Sequence, residues 1–166
     1  DVDLAFTAVD FTSKFTDTDG AFIKAKIATL PANGTLKVLG VAITAGYEID
    51  EANIPGLTFT PSDNWNGTTS FEWNGSDGLS YATNTALVNI TIASVNDAPS
   101  VSAYTATGTE DTRLYLTQAD FTTSFSDVDG NSLAKIKFTT LPTQGTLMLV
   151  NTPIAQDQEI AFADIV

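Results

Sequence analysis

Phe15-Thr16-Asp17-Thr18-Asp19-Gly20 returns as Phe125-Ser126-Asp127-Val128-Asp129-Gly130. The spacing is 110 residues, and it holds upstream, where Asp10-Phe11-Thr12 returns as Asp120-Phe121-Thr122. One extra residue after Gly130 changes the spacing to 111. From there Lys24-Ala25-Lys26 pairs with Lys135-Ile136-Lys137, Leu30-Pro31 with Leu141-Pro142, and Gly34-Thr35-Leu36 with Gly145-Thr146-Leu147. Ile43 pairs with Ile154, and Glu48-Ile49 with Glu159-Ile160. Turn residues and apolar positions keep one register, so two copies of one structural unit are expected. A unit of about 110 residues is too long for a solenoid repeat and has the size of one β-sandwich domain with its own core.

The copies divide the chain into residues 1–96, a repeat without its first strand, and 97–166, the N-terminal part of a second repeat. The second copy ends at the position of Pro55 and keeps about half its strands. It should bury too little to be stable alone. A neighbouring chain or further sequence is expected to complete it.

Strands dominate the local pattern. Phe22 to Ala28 alternates apolar and polar residues, and Pro31-Ala32-Asn33-Gly34 reads as a turn into a hairpin partner at Thr35–Val38. Leu57–Thr60 is a strand stopped by Pro61, and Thr69–Asn74 alternates Phe71 and Trp73 with Glu72 and Asn74. Asn74-Gly75-Ser76-Asp77-Gly78 reads as a turn, and Ser80–Ile92 as the longest strand. Val9 to Gly20 reads as an ordered loop anchored by Phe11 and Phe15, with one helical turn as the alternative. The expected fold class is all-β, antiparallel sandwiches in tandem.

Composition narrows the chemistry. The 166 residues carry 20 Asp and Glu against 7 Lys and Arg, a formal charge of -13. Such a surface repels nucleic acid and anionic membranes and attracts cations, though acidity also serves solubility. Cys and His are both absent, which removes disulfides, thiolate and imidazole chemistry and sites for soft metals. Any metal site must be built from oxygen, which suits Ca2+. No apolar run approaches the ~20 residues of a membrane-spanning helix. A targeting signal, if one exists, is expected upstream of Asp1.

Val95-Asn96-Asp97-Ala98-Pro99, Glu110-Asp111-Thr112, the two Asp-x-Asp-Gly segments, Leu-Pro-x-x-Gly-Thr-Leu in both copies, Asn64-Trp65-Asn66-Gly67 and Ser76-Asp77-Gly78 occur in one order along the chain. In that set the chain resembles the bacterial cadherin-like tandem repeats of large surface adhesins. The resemblance implies immunoglobulin/cadherin-like sandwiches that bind calcium where repeats meet. It implies metal ligands at Asp17, Asp19, Asp77, Asn96, Asp97, Glu110, Asp127 and Asp129, with Asp63 approaching a junction from the other side. The linker is shorter and less charged than in animal cadherins, so one or two ions per junction are expected rather than three.

The residues support the same chemistry on physical grounds. Asp-x-Asp sets two carboxylates near one ion, and the following Gly allows a turn that brings backbone carbonyls in. An Asx-turn is the plainer reading of the same motif. Trp65, Phe71, Trp73 and Tyr81 could form a sugar-stacking platform, but Phe71 and Trp73 fit a core face and Trp65 fits a lid on the sandwich end. No carboxylate pair in an apolar cleft suggests catalysis, so no enzyme is expected. The expected function is a calcium-rigidified structural or adhesive section of an extracellular or cell-surface protein, its partners neighbouring repeats of the same or identical chains. The alternatives are a carbohydrate-binding module contacting surface or matrix polysaccharide, and a strand-donating subunit of an extracellular fibre.

Overall fold

A computed structural model describes residues 2–165. The chain is mostly β-structure in antiparallel sheets and forms two compact units, Asp1–Val95 and Asn96–Val166.

Unit 1 begins with β1 (Leu4–Ala5) and α1 (Ala8–Thr12), followed by β2 (Lys24–Ile27), β3 (Gly34–Val38), β4 (Val41–Ala42) and β5 (Glu48–Asp50). A 3-10 helix at Glu51–Gly56 leads into β6 (Leu57–Pro61), β7 (Gly67–Ser76) and β8 (Ala86–Ile92). The strands form two sheets of four, ordered β1-β6-β3-β4 and β5-β2-β7-β8. One core takes Leu36, Val38, Leu57 and Phe59 from the first sheet and Ala25, Ile27, Ile49, Phe71, Trp73 and Ile90 from the second. Phe6, Phe11 and Phe22 add edge-to-face contacts around Phe71 and Trp73.

Four local expectations are corrected. First, a helical turn does form at Ala8–Thr12, where a loop was expected. The N–H and hydroxyl of Thr7 both donate to Asp10 Oδ2, at 2.7 and 2.9 Å, and this capping box supplies the missing nucleus. Second, β3 is not the hairpin partner of β2. It pairs with β4 and β6, while β2 pairs with β5 and β7. The connection from Ala28 to Asn33 exceeds a two-residue hairpin loop and carries the chain from one sheet to the other, so that Ile27 and Leu36 enter the core from different sheets. Third, Asn74-Gly75 is not a turn but the end of β7, which is the longest strand. Gly75 is buried, and a Cβ there would lie 2.6 Å from Phe15 Cδ2, so the glycine admits the aromatic plug rather than a bend. Fourth, the strand expected over Ser80–Ile92 begins only at Ala86. Tyr81 makes a single bridge to Ser76, and the chain bends at Thr83–Asn84 before joining β7.

Unit 2 contains β9 (Ser100–Val101), α2 (Gln118–Thr122), β10 (Phe125–Ser126), β11 (Lys135–Lys137), β12 (Met148–Leu149), β13 (Thr152–Pro153) and β14 (Glu159–Ala161). Its elements recur at the sequence spacing. α2 follows α1 by 110 residues and repeats the Thr117–Asp120 capping box at 2.7 and 2.9 Å. The β11–β14 pair follows β2–β5 by 111, each with a lysine-to-glutamate ion pair, at 3.0 Å for Lys24–Glu48 and 2.6 Å for Lys135–Glu159. The core of unit 2 is small: among the described residues, only Ile154, Ile160 and Ile165 are buried in it. Phe121, Ile136, Phe138, Leu147 and Leu149 stay half-exposed along an apolar cleft of about 240 Å³.

Candidate metal centre

The second Asp-x-Asp-Gly loop folds onto the residues that open unit 2. Asp127 Oδ1 accepts the backbone N–H of Asp129 at 2.9 Å and that of Asn131 at 3.2 Å. The Asn131 side-chain amide donates to Asp127 Oδ1 at 3.4 Å and to Asn96 Oδ1 at 3.1 Å. The Asp97 N–H donates to Asp129 Oδ2 at 2.7 Å, a charge-assisted contact. Four of the expected residues, Asn96, Asp97, Asp127 and Asp129, are therefore held together by protein hydrogen bonds alone. Among the described residues, no donor reaches Asp127 Oδ2, Asp129 Oδ1 or the Asp97 carboxylate. The Asx-turn is real, and it uses one oxygen of Asp127 while leaving the other free.

The first loop meets a different partner. A Cβ at Gly20 would lie 2.9 Å from Asp77 Oδ2 and 3.1 Å from Asp17 Oδ2. Those two oxygens are at most about 6 Å apart, close to the span that one calcium can bridge with bonds of ~2.3–2.6 Å. The other oxygens are already used. Asp77 Oδ1 accepts the N–H groups of Ser80 at 2.8 Å and Leu79 at 2.9 Å, and Asp17 Oδ1 accepts that of Asp19 at 3.3 Å. The Ser80 and Leu79 bonds hold the Asp77 carboxyl below its ordinary pKa, so it stays charged and available. Gly20 serves close approach here, whereas its counterpart Gly130 takes a φ of +77° with open space beside it.

Three other candidates stand elsewhere. Asp63 lies in the turn between β6 and β7, while Asp77 follows the far end of β7; ten residues of strand separate these ends by roughly 30 Å. Asp63 is thus at the end of unit 1 where Ile92 closes β8. Glu110 sits in an exposed turn, and the segment from Ser100 to Tyr104 runs antiparallel to β10 and away from the Asp127 loop. Trp65 is half-buried and packs on the core of unit 1, Tyr81 is half-buried, and Phe71 and Trp73 are buried.

Sequence reading missed Asn131, which bridges Asn96 to Asp127. The one-residue insertion after Gly130 is its signal. It also missed that Gly20 makes room for the Asp77 side chain, a contact between segments 57 residues apart that only the sheet brings together.

Calcium takes six to eight oxygens. Among the described residues, no three acidic side chains stand close enough together to hold an ion unaided. The two loops have different neighbours, each within its own unit. Unit 2 has the Asn96-Asp97 pair beside its loop, and unit 1 has Asp77 beside its loop; the spacing of 111 carries the counterpart of Asp77 past residue 166. The oxygen-only donors and the free carboxylate oxygens fit a hard divalent cation. No helix among the described residues is long and apolar enough to cross a membrane. No family model, curated protein or solved structure matches the chain.

Proposed function

We propose that the chain is a section of an extracellular or cell-surface protein, built of cadherin-like β-sandwich repeats, in which calcium fixes the start of each repeat to its acidic loop. The role is structural or adhesive and not catalytic. The carrying observation is the Asp97 N–H on Asp129 Oδ2, with Asn131 joining Asn96 to Asp127. This arrangement ties the linker residues to the loop and leaves carboxylate oxygens free beside them. Read through the internal spacing, the Asp77 contact of unit 1 adds a further carboxylate to the same loop. Asp17, Asp19, Asp77, Asn96, Asp97, Asp127 and Asp129 are the proposed ligands, and Asp63 and Glu110 lie outside this group.

An ion there offsets the repulsion among carboxylates in a chain of charge -13 and stiffens the linker against the repeat it opens. Extracellular modules bind calcium at ~10⁻⁴–10⁻³ M. The test is calorimetric titration of the full chain with calcium, beside an Asp127→Asn, Asp129→Asn double variant. Heat that saturates in that range and disappears in the variant supports the reading. No heat in either protein, in buffer of matched ionic strength, sinks it.

A further inference from the structure

Trp-Asn-Gly occurs twice in unit 1, as Trp65-Asn66-Gly67 and Trp73-Asn74-Gly75, each followed by a hydroxyl residue, Thr68 or Ser76. The fold treats the two copies differently. Asn74 lies inside β7 with Lys26 of β2 opposite it. Its side-chain amide donates to the Ala82 carbonyl at 2.9 Å, and its side-chain oxygen is sealed from solvent. The Gly75 carbonyl accepts the Ala82 N–H at 2.9 Å, and Gly75 itself is seated under Phe15. Asn66 is exposed and stands outside any strand, and Gly67 is the outermost residue of the β7–β8 ladder, opposite Ile92. Among the described residues, the Asn66 side chain makes no hydrogen bond and no donor reaches its backbone carbonyl. A third Asn-Gly pair is held at both residues. The Asn33 carbonyl accepts the Ser62 N–H at 3.0 Å, and Gly34 packs so closely that an added Cβ would meet the Phe59 ring.

We propose that Asn66 is a self-modification site, at which the chain converts its own asparagine to aspartate and isoaspartate with water as the only co-reactant. The Gly67 backbone nitrogen, its proton taken by hydroxide, attacks the Asn66 side-chain carbonyl carbon. The bond from that carbon to the amide nitrogen breaks, and ammonia leaves with a proton from water. Water then opens the five-membered imide at either carbonyl: one cleavage gives aspartate, the other gives isoaspartate, whose main chain runs through the former side chain. One water is consumed and one ammonia released. Closure needs the Asn-Gly peptide unit to swing toward the side chain, and a glycine with no Cβ leaves room for it. At Asn66 that swing disturbs only the end of a ladder, which opens at almost no cost, whereas at Asn74 it requires opening a central strand. The product carries one more negative charge than -13, at the end of unit 1 that holds Asp63. Isoaspartate also lengthens the main chain beside the Gly67–Ile92 pair and loosens it. The proposal is independent of the calcium reading.

The test is incubation of the full chain in mildly alkaline buffer, folded and in urea, with anion exchange to separate acidic forms and peptide mapping by mass spectrometry to place the new carboxylate. In the folded chain, conversion is expected at Asn66 at least about tenfold faster than at Asn74 or Asn33, the effect of ladder protection. In urea, Asn66 and Asn74 should convert at similar rates, because their neighbours in sequence match. Asn66→Gln, an exposed change whose longer side chain would have to close a six-membered ring, should remove the leading acidic form. Equal rates at Asn66 and Asn74 in the folded chain, conversion led by Asn33 or Asn74, an unchanged acidic form in Asn66→Gln, or no conversion at Asn66 would each overturn the proposal.

Discussion

A single methyl group added at Gly20 would sit 2.7 Å from Asp77 Cβ and force the acidic loop away from Asp77. Gly20→Ala should therefore cost about 1–3 kcal/mol in a urea melt, the usual range for overpacking, and weaken calcium binding with it. Ionisation supplies a second test at this scale. The Asp77 carboxyl is held low by the Ser80 and Leu79 N–H groups, and that of Asp120 by the Thr117 N–H and then the Tyr104 hydroxyl. A depressed folded pKa contributes stability that is complete above the unfolded value, near 3.8, and is lost as pH falls through the folded value. Melting temperature should thus hold above about pH 5 and fall below pH 4, and Asp77→Asn should flatten part of that fall. The acidic candidates were legible one residue at a time, because Asp-x-Asp-Gly repeats. Their partners were not. Gly20 against Asp77 is a steric fact of strands brought side by side, and no spacing in the chain announces it.

At the scale of elements, the two copies make matching choices in matching places. The β3–β4 and β12–β13 hairpins both turn through a residue with positive φ, 51° at Leu39 and 57° at Val150. A β-branched side chain is strained there, and Val150 is 72% exposed, so little packing holds it. Val150→Gly should raise the stability of unit 2 by about 1 kcal/mol, seen as a shift in its urea midpoint. The α1 turn makes a complementary case. Asp10→Ala removes both bonds from Thr7 and should cost about 1 kcal/mol of unit 1 stability by the same measurement. Element type was readable where alternation was strong, as at Lys24–Ile27 and Leu57–Pro61. Pairing was not readable. Asn33-Gly34 and Asn74-Gly75 carry one dipeptide, yet the first leads from one sheet to the other and the second lies inside a strand beneath Phe15. Local turn preference is worth only a few tenths of a kcal/mol to about 1 kcal/mol, and burial of an aromatic ring outweighs it.

Across the whole molecule, the cores are unequal. Among the described residues, fifteen hydrophobic residues are buried in the core of unit 1 against three isoleucines in unit 2. Denaturant should resolve two transitions, with unit 2 unfolding first, as followed by Phe121 and Phe138 resonances against those of Trp73. Calcium at about 100 times its dissociation constant should raise the stability of the unit that binds it by ~2.7 kcal/mol, and chelator should reverse the gain. A monovalent salt series separates this from screening of the net charge. The sequence by itself determined that the chain repeats, that it is built of strands, and that any metal it holds must be bound through oxygen. These follow from periodicity and from which side chains are present at all. Tertiary structure alone decided which strands pair, which asparagine-glycine turns, and which carboxylates meet, because each depends on apolar side chains far apart in sequence excluding water from the core of their own unit.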